Sequence, residues 1–220
     1  MNWLATGPAR RLEVHFGDRV VPCFAERPGS VHALVAEAAA RRPEGEALVC
    51  GDTRLSWGQV SQRSSQVGEG LARLGICAGD RVALLLGNRL EFVLTWFGAA
   101  QLGAVIVPLG TRQQSIELAY ALNDCAARVL VYEAHLADRV PRPADVPALE
   151  HRIVVGGEGQ FGFDELLRVS GRDGPIPATV QEEDTAAILY TSGTTGRSNG
   201  AMLTHLGIIH SARCSRLAWG

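Results

Sequence analysis

No excess of either charge marks this chain: its 220 residues carry 21 Lys and Arg against 23 Asp and Glu, a formal net charge of −2. Without clustered cations nothing displaces counterions along a phosphate backbone, which excludes a nucleic-acid-binding surface but leaves room for a small basic pocket. A disulfide or zinc framework is equally absent. The five cysteines, at 23, 50, 77, 125 and 214, are odd in number and contain no CxxC pair. The 27-residue step between the first three has no similar flanking sequence, so it is read as chance. All five are expected to be buried thiols in a reducing cytosol. Met1 to Phe16 has no apolar core of signal-peptide length. The longest apolar run, Leu94 to Gly110, is interrupted by Gln101, Gly103 and Pro108, so it reads as helix, turn and strand rather than a membrane span. The expectation is a soluble, cytoplasmic protein with no transmembrane segment. Charged residues at 20% and hydrophobic residues at 46% describe a globular chain rather than a disordered one.

At about 100–200 residues per domain, the length fits one domain or one and a half. Residues 1–30, with prolines 8, 22 and 28, read as a lead-in segment. Val31 to Arg41 is Ala-rich and helical, ending before Pro43. Gly51-Asp52 separates two short strands as a hairpin turn. Ser56 and Gln59 form a capping box for a helix whose Trp57, Val60, Ser64, Val67, Leu71 and Leu74 recur at helical spacing. Within it, Gly68 and Gly70 each weaken the helix by about 1 kcal/mol relative to Ala. Val82–Leu86 is a continuous apolar run, the pattern of a strand buried on both faces. A helix over Leu90–Leu102, a strand over Ala104–Val107, a helix from a Ser115 cap to Asn123 and a strand over Arg128–Tyr132 follow. Pro141–Pro147 reads as a surface connection, Ile153–Val155 as a strand, Phe163–Val169 as a short helix, Gly171–Pro177 as a loop, Ala186–Tyr190 as a strand and Leu203–Trp219 as a helix. The alternation predicts an α/β fold with a mainly parallel sheet flanked by helices.

The segment AAILYTSGTTGRSNGAMLTH, residues 186–205, carries the most information. A buried strand runs into Thr191, Ser192, Gly193, Thr194, Thr195 and Gly196, a dense run of hydroxyls and glycines. Glycines let the backbone approach a ligand closely, and successive N–H groups can form an anion-binding nest. The segment is therefore read as a phosphate cradle, weighed against a plain Ser/Thr/Gly-rich turn. Neither the GxxxxGK loop nor GxGxxG occurs in it.

YTSGTTGRSNGAMLTH closely resembles the phosphate-loop signature of the adenylate-forming (AMP-binding) superfamily, Tyr/Phe-Thr-Ser-Gly-Ser/Thr-Thr-Gly-x-Pro-Lys-Gly, and most of all that of its acyl-CoA synthetases. Leu55-Ser56-Trp57, Gly79-Asp80-Arg81-Val82-Ala83 and the stretch from Gly98 to Leu109 are similar to three earlier elements of the same family, in the same order. The resemblance implies ATP-dependent, AMP-forming activation of a carboxylic acid, with a fatty acid favoured and aryl acids open, to an acyl adenylate and then an acyl-CoA. It implies ATP and Mg2+, with coenzyme A as co-substrate. It places Thr191, Ser192, Gly193, Thr194, Thr195 and Gly196 at the β- and γ-phosphates.

Two departures stand out. Ser198-Asn199 occupies the place of the family's Pro-Lys, so Asn199 offers a neutral donor beside the phosphates. Family enzymes are also more than twice this long. The expectation is thus a partial N-terminal AMP-binding domain over 31–220, with the catalytic residues beyond Gly220 and the C-terminal domain absent. Such a chain is expected to be inactive alone; the alternatives are a non-catalytic remnant that at most binds phosphate-bearing ligands, or an interaction module that self-associates through the surface left uncovered. His205 is read as either near an acyl pocket or packed at a helix start. His210 and Cys214 share a helix face but lack further ligands in reach, so no metal site is expected there. Trp96 and Phe97 are read as core and Arg112 as solvated.

Overall fold

The computed structural model describes residues 8–157, 161–168, 178–191 and 198–219. Where a lead-in was expected, the chain opens with an antiparallel hairpin, β1 (Arg10–His15) and β2 (Arg19–Phe24). Its tight turn places Phe16 and Gly17 at positive φ. Helix α1 (Val31–Arg41) starts at Ser30, whose hydroxyl accepts the Ala33 N–H. β3 (Glu46–Cys50) and β4 (Thr53–Ser56) pair around the predicted Gly51-Asp52 turn. The capping box of Ser56 and Gln59 opens α2 (Trp57–Arg73), as its sequence requires.

The remaining elements alternate: β5 (Arg81–Leu85), α3 (Leu90–Gln101), β6 (Val105–Pro108), α4 (Ser115–Asp124), β7 (Val129–Glu133), β8 (His151–Val155), α5 (Phe163–Arg168), β9 (Thr185–Thr191), β10 (Asn199–Thr204) and α6 (His205–Trp219). Two 3-10 turns, Ala134–Arg139 and Pro143–Asp145, link β7 to β8. The second is the expected surface connection, pinned from below by buried Val146.

Six strands form one mixed sheet in the order β10-β9-β6-β5-β7-β8, parallel throughout except for β10. Val82, Ala83, Leu84 and Leu85 of β5 are fully buried, because both faces of the sheet are covered. One layer, α2, α3 and α5, packs Val67, Leu71, Leu94 and Leu166 against Val82, Leu84, Ile106, Val131 and Ile153. The opposite layer sets Leu118 and Leu122 of α4, with Leu136, against Ala83, Leu85, Val107 and Leu130.

Close packing within the layer of α2, α3 and α5 accounts for Gly70 of α2 and for Gly98 of α3. A Cβ on Gly70 would lie 2.7 Å from Leu166 Cδ2 of α5, and one on Gly98 of α3 would lie 2.6 Å from the Ser64 carbonyl and 2.8 Å from the Gly68 nitrogen. Helix propensity is given up so that α2 and α3 can meet backbone to backbone. Gly98→Ala is expected to lower stability by about 1–3 kcal/mol through overpacking, read as a fall in the urea midpoint with an unchanged slope.

Three expectations are corrected. Asn199–Thr204 is a strand and the last helix starts at His205 rather than Leu203; pairing with β9 overrides the local pattern. Helix α4 is capped at Gln114, not Ser115, with the Glu117 carboxylate accepting the Gln114 N–H at 2.8 Å. The five thiols are not all buried: Cys23 and Cys125 are, Cys50 is half-buried, and Cys77 and Cys214 are exposed. The predicted loop over 171–177 and Val169 lie outside the described residues.

Candidate phosphate-binding site

The chain leaves β5 for β6 on one side and then crosses to β7 on the other, so the direction of winding reverses at β5. In open α/β sheets the crevice at the carboxyl ends beside such a reversal is where ligands bind. Side chains tie the loops of that edge to one another. The Glu133 carboxylate, at the end of β7, accepts the Gly87 N–H at 2.6 Å and Arg89 Nη1 at 3.1 Å. Arg89 also donates to Glu91 at 2.7 and 3.1 Å; these carboxylates, Glu91 first, hold its guanidinium above its ordinary pKa. After β6, Gln113 Oε1 accepts the Gly110 N–H at 2.8 Å, and Arg139 donates to the Thr111 carbonyl at 2.6 Å.

The candidate loop leaves the same edge from β9. Ser192, Gly193, Thr194, Thr195 and Gly196 lie outside the described residues; the two residues that bracket them do not. Thr191 ends β9, Asn199 begins β10, and the two are register partners across the antiparallel pair, both exposed. The hairpin thus holds the ends of the loop opposite each other, and Asn199 stands at its mouth.

Tyr190 anchors the strand just before the loop. Its hydroxyl donates to Asp124 Oδ2 at 2.6 Å, and its ring meets Tyr120 edge-on at 6.5 Å. Burial, reinforced by the Asp124 carboxylate, pushes the phenol far above its usual pKa, so it remains a donor. Asp124, Glu133 and Arg89 were not singled out in the sequence. The Tyr190 and Asp124 partners are 66 positions apart, and no local pattern pairs them. For Glu133 the available signal was a carboxylate at the carboxyl end of a core strand.

The other singled-out residues have structural partners. His205 is buried, and its Nδ1 accepts the Val31 N–H at 3.2 Å, satisfying an otherwise unpaired donor at the start of α1. Burial lowers its pKa, consistent with a neutral acceptor ring. His210 Nε2 accepts the Phe24 N–H at 3.4 Å and its ring lies 4.9 Å from that of Phe24, while Cys214 faces solvent. Trp96 and Phe97 are half-buried against the core, and Arg112 is exposed.

Fold and hairpin together are similar to those of the N-terminal domain of a known acyl-CoA ligase. The family model for AMP-binding enzymes matches residues 35–219, and the chain belongs to that family. It is 37% identical over 167 residues to a long-chain-fatty-acid–CoA ligase, FadD13, of Mycobacterium tuberculosis, covering 74% of this chain and 32% of that protein. A feruloyl-CoA synthase of Amycolatopsis is 37% identical over 163 residues, with 74% and 31% covered. Among solved structures, the inhibitor-bound N-terminal domain of FACL13 from M. tuberculosis superimposes with a TM-score of 0.73 at 31% identity, over 80% of this chain and 44% of that one. A long-chain-fatty-acid–CoA ligase of Archaeoglobus fulgidus reaches 0.81 at 25% identity, over 94% and 42%. The chain spans about a third of the length of the curated relatives it matches. Among the described residues no helix is long and apolar enough to cross a membrane.

Proposed function

We propose that this chain supplies the phosphate-binding part of an AMP-forming acyl-CoA ligase acting on a fatty acid. The observation that carries the reading is the β9–β10 hairpin, which brackets a hydroxyl- and glycine-rich loop with Thr191 and Asn199 at the carboxyl edge of the sheet. The names of the relatives support the acid class. The substrate carboxylate attacks the α-phosphorus of Mg-ATP, forming the acyl–phosphate bond and releasing pyrophosphate; the thiol of coenzyme A then takes the acyl group and releases AMP. Mg2+ enters with the nucleotide. In this scheme Thr191, Ser192, Gly193, Thr194, Thr195 and Gly196 hold the departing pyrophosphate by hydrogen bonds, which act by positioning and charge stabilisation. Tyr190, tied to Asp124, anchors the end of β9 from which the loop starts.

Asn199 favours one second reading, a domain that binds phosphate-bearing ligands without turnover, because a neutral amide stands where the family signature has a lysine. Mg-ATP binding and pyrophosphate release by the purified chain, supplied with Mg-ATP, coenzyme A and a panel of fatty and aryl acids, test the phosphate site. Release that depends on a fatty acid establishes the ligase. Mg-ATP binding without release supports the phosphate site and is the result expected of the phosphate-binding part on its own, and absence of any ATP binding by folded protein removes both readings.

A further inference from the structure

A group of metal-binding side chains stands apart from the β9–β10 site. We propose that Glu13, His15 and Cys23 form a binding site for a divalent transition-metal ion of the zinc class, which clasps the β1–β2 hairpin. Their ligand atoms, a carboxylate oxygen, an imidazole nitrogen and the thiol sulfur, lie within 4.8 Å of one another. Strand geometry brings them together: Glu13 and His15 alternate onto one face of β1, and Cys23 lies opposite Arg11 on β2, diagonal to Glu13. His15 is 8% exposed and Cys23 1%, so the donors are held by packing rather than by solvent.

The imidazole is already oriented. His15 Nδ1 lies 3.0 Å from Glu183 Oε1, and Nε2 lies 3.1 Å from Glu13 Oε2. A carboxylate on the second ring nitrogen is the outer partner that metal-bound histidines usually have, and it directs Nε2 to the ion. Glu183, 42% exposed, opens the cluster to solvent on one side.

Charge is the opposing consideration, since Arg27 and Arg11 both donate to Glu13. Arg27, however, is shared with Glu182, which takes its Nε at 2.8 Å and Nη2 at 2.5 Å, and Arg11 is 63% exposed. Binding releases the Cys23 thiol proton to solvent, and the resulting thiolate with the Glu13 carboxylate balances the ion's two charges. One sulfur, one nitrogen and one oxygen suit zinc(II) or cobalt(II) in a four-coordinate site whose last position holds water. The site does not depend on the ligase reading.

The test is cobalt(II) titration of the whole chain with the accessible Cys50, Cys77 and Cys214 changed to Ser. One equivalent should produce thiolate-to-cobalt charge-transfer absorption with the intense visible bands of a four-coordinate ion, and zinc(II) should displace it. The bands should vanish in Cys23→Ser, and Glu183→Gln should weaken affinity by roughly 10- to 100-fold. No bands at stoichiometric cobalt, or bands that survive Cys23→Ser, overturn the proposal. Should that variant fail to fold, X-ray absorption of the zinc-loaded chain decides: one sulfur ligand supports the site and none refutes it.

Discussion

Asn199→Lys is expected to tighten binding of Mg-ATP or pyrophosphate by roughly 10- to 150-fold, which corresponds to a charge-assisted hydrogen bond of about 1.5–3 kcal/mol. Asn199 is the exposed first residue of β10 and the register partner of Thr191, so a longer cationic side chain there adds a positive charge where the chain enters β10 from the loop. The substitution restores the lysine of the family signature without touching the core. Calorimetric titration of wild type and variant at low and moderate salt reads the effect, and added salt should reduce the gain. Equal affinities would show that position 199 does not face the phosphates, and the loop assignment would then rest on the hydroxyls and glycines alone.

Arg27→Met is expected to lower stability by about 3 kcal/mol, the lower end for breaking a buried ion pair. The Arg27 side chain is 6% exposed and donates to both Glu13 oxygens at 2.9 and 2.6 Å, to both Glu182 oxygens and to the Phe24 carbonyl at 2.7 Å. Its removal leaves two carboxylates facing each other across the junction of the β1–β2 hairpin with the segment before β9. The lower end applies because both carboxylates keep some access to water. Arg27, followed by Arg11, holds the Glu13 carboxyl well below its usual range. A depressed carboxyl contributes stability that is fully present above its unfolded pKa, near 4.5, and is lost as pH falls toward the folded value. Urea unfolding with a chelator present should therefore show a wild-type advantage that is full at pH 7 and shrinks below about pH 4.5. A pH-independent difference, or none, would show that the network does not hold the hairpin.

Much of the fold was legible because its signals are local. The Ser56–Gln59 capping box, the apolar run at Val82 and the Gly51-Asp52 turn each lie within a few residues, and each appears where expected. The phosphate-loop signature was equally local, and it marked the family before any tertiary contact was known. The β1–β2 hairpin was not legible. β1 sets Leu12 and Val14 between charged neighbours, β2 has no regular alternation, and three of their four Leu and Val residues, Leu12, Val14 and Val20, remain exposed. β10 was missed because Asn199-Gly200-Ala201-Met202 has weak strand preference; it is a strand because β9 offers it a free edge.

The sequence by itself determined the alternation of strands and helices, the caps and turns, the burial of the central strands and the family. These follow from spacing over a few residues and from one contiguous motif. Only the tertiary structure decided that Tyr190 is held by Asp124, that Gly98 lets α3 touch α2, and that Arg27 joins Glu13 to Glu182, which lies 155 positions beyond Arg27. It also decided which thiols are covered and brought Cys23 beside His15. Such pairings depend on strand register and on the stacking of layers, which bring together residues whose separation along the chain carries no periodic trace.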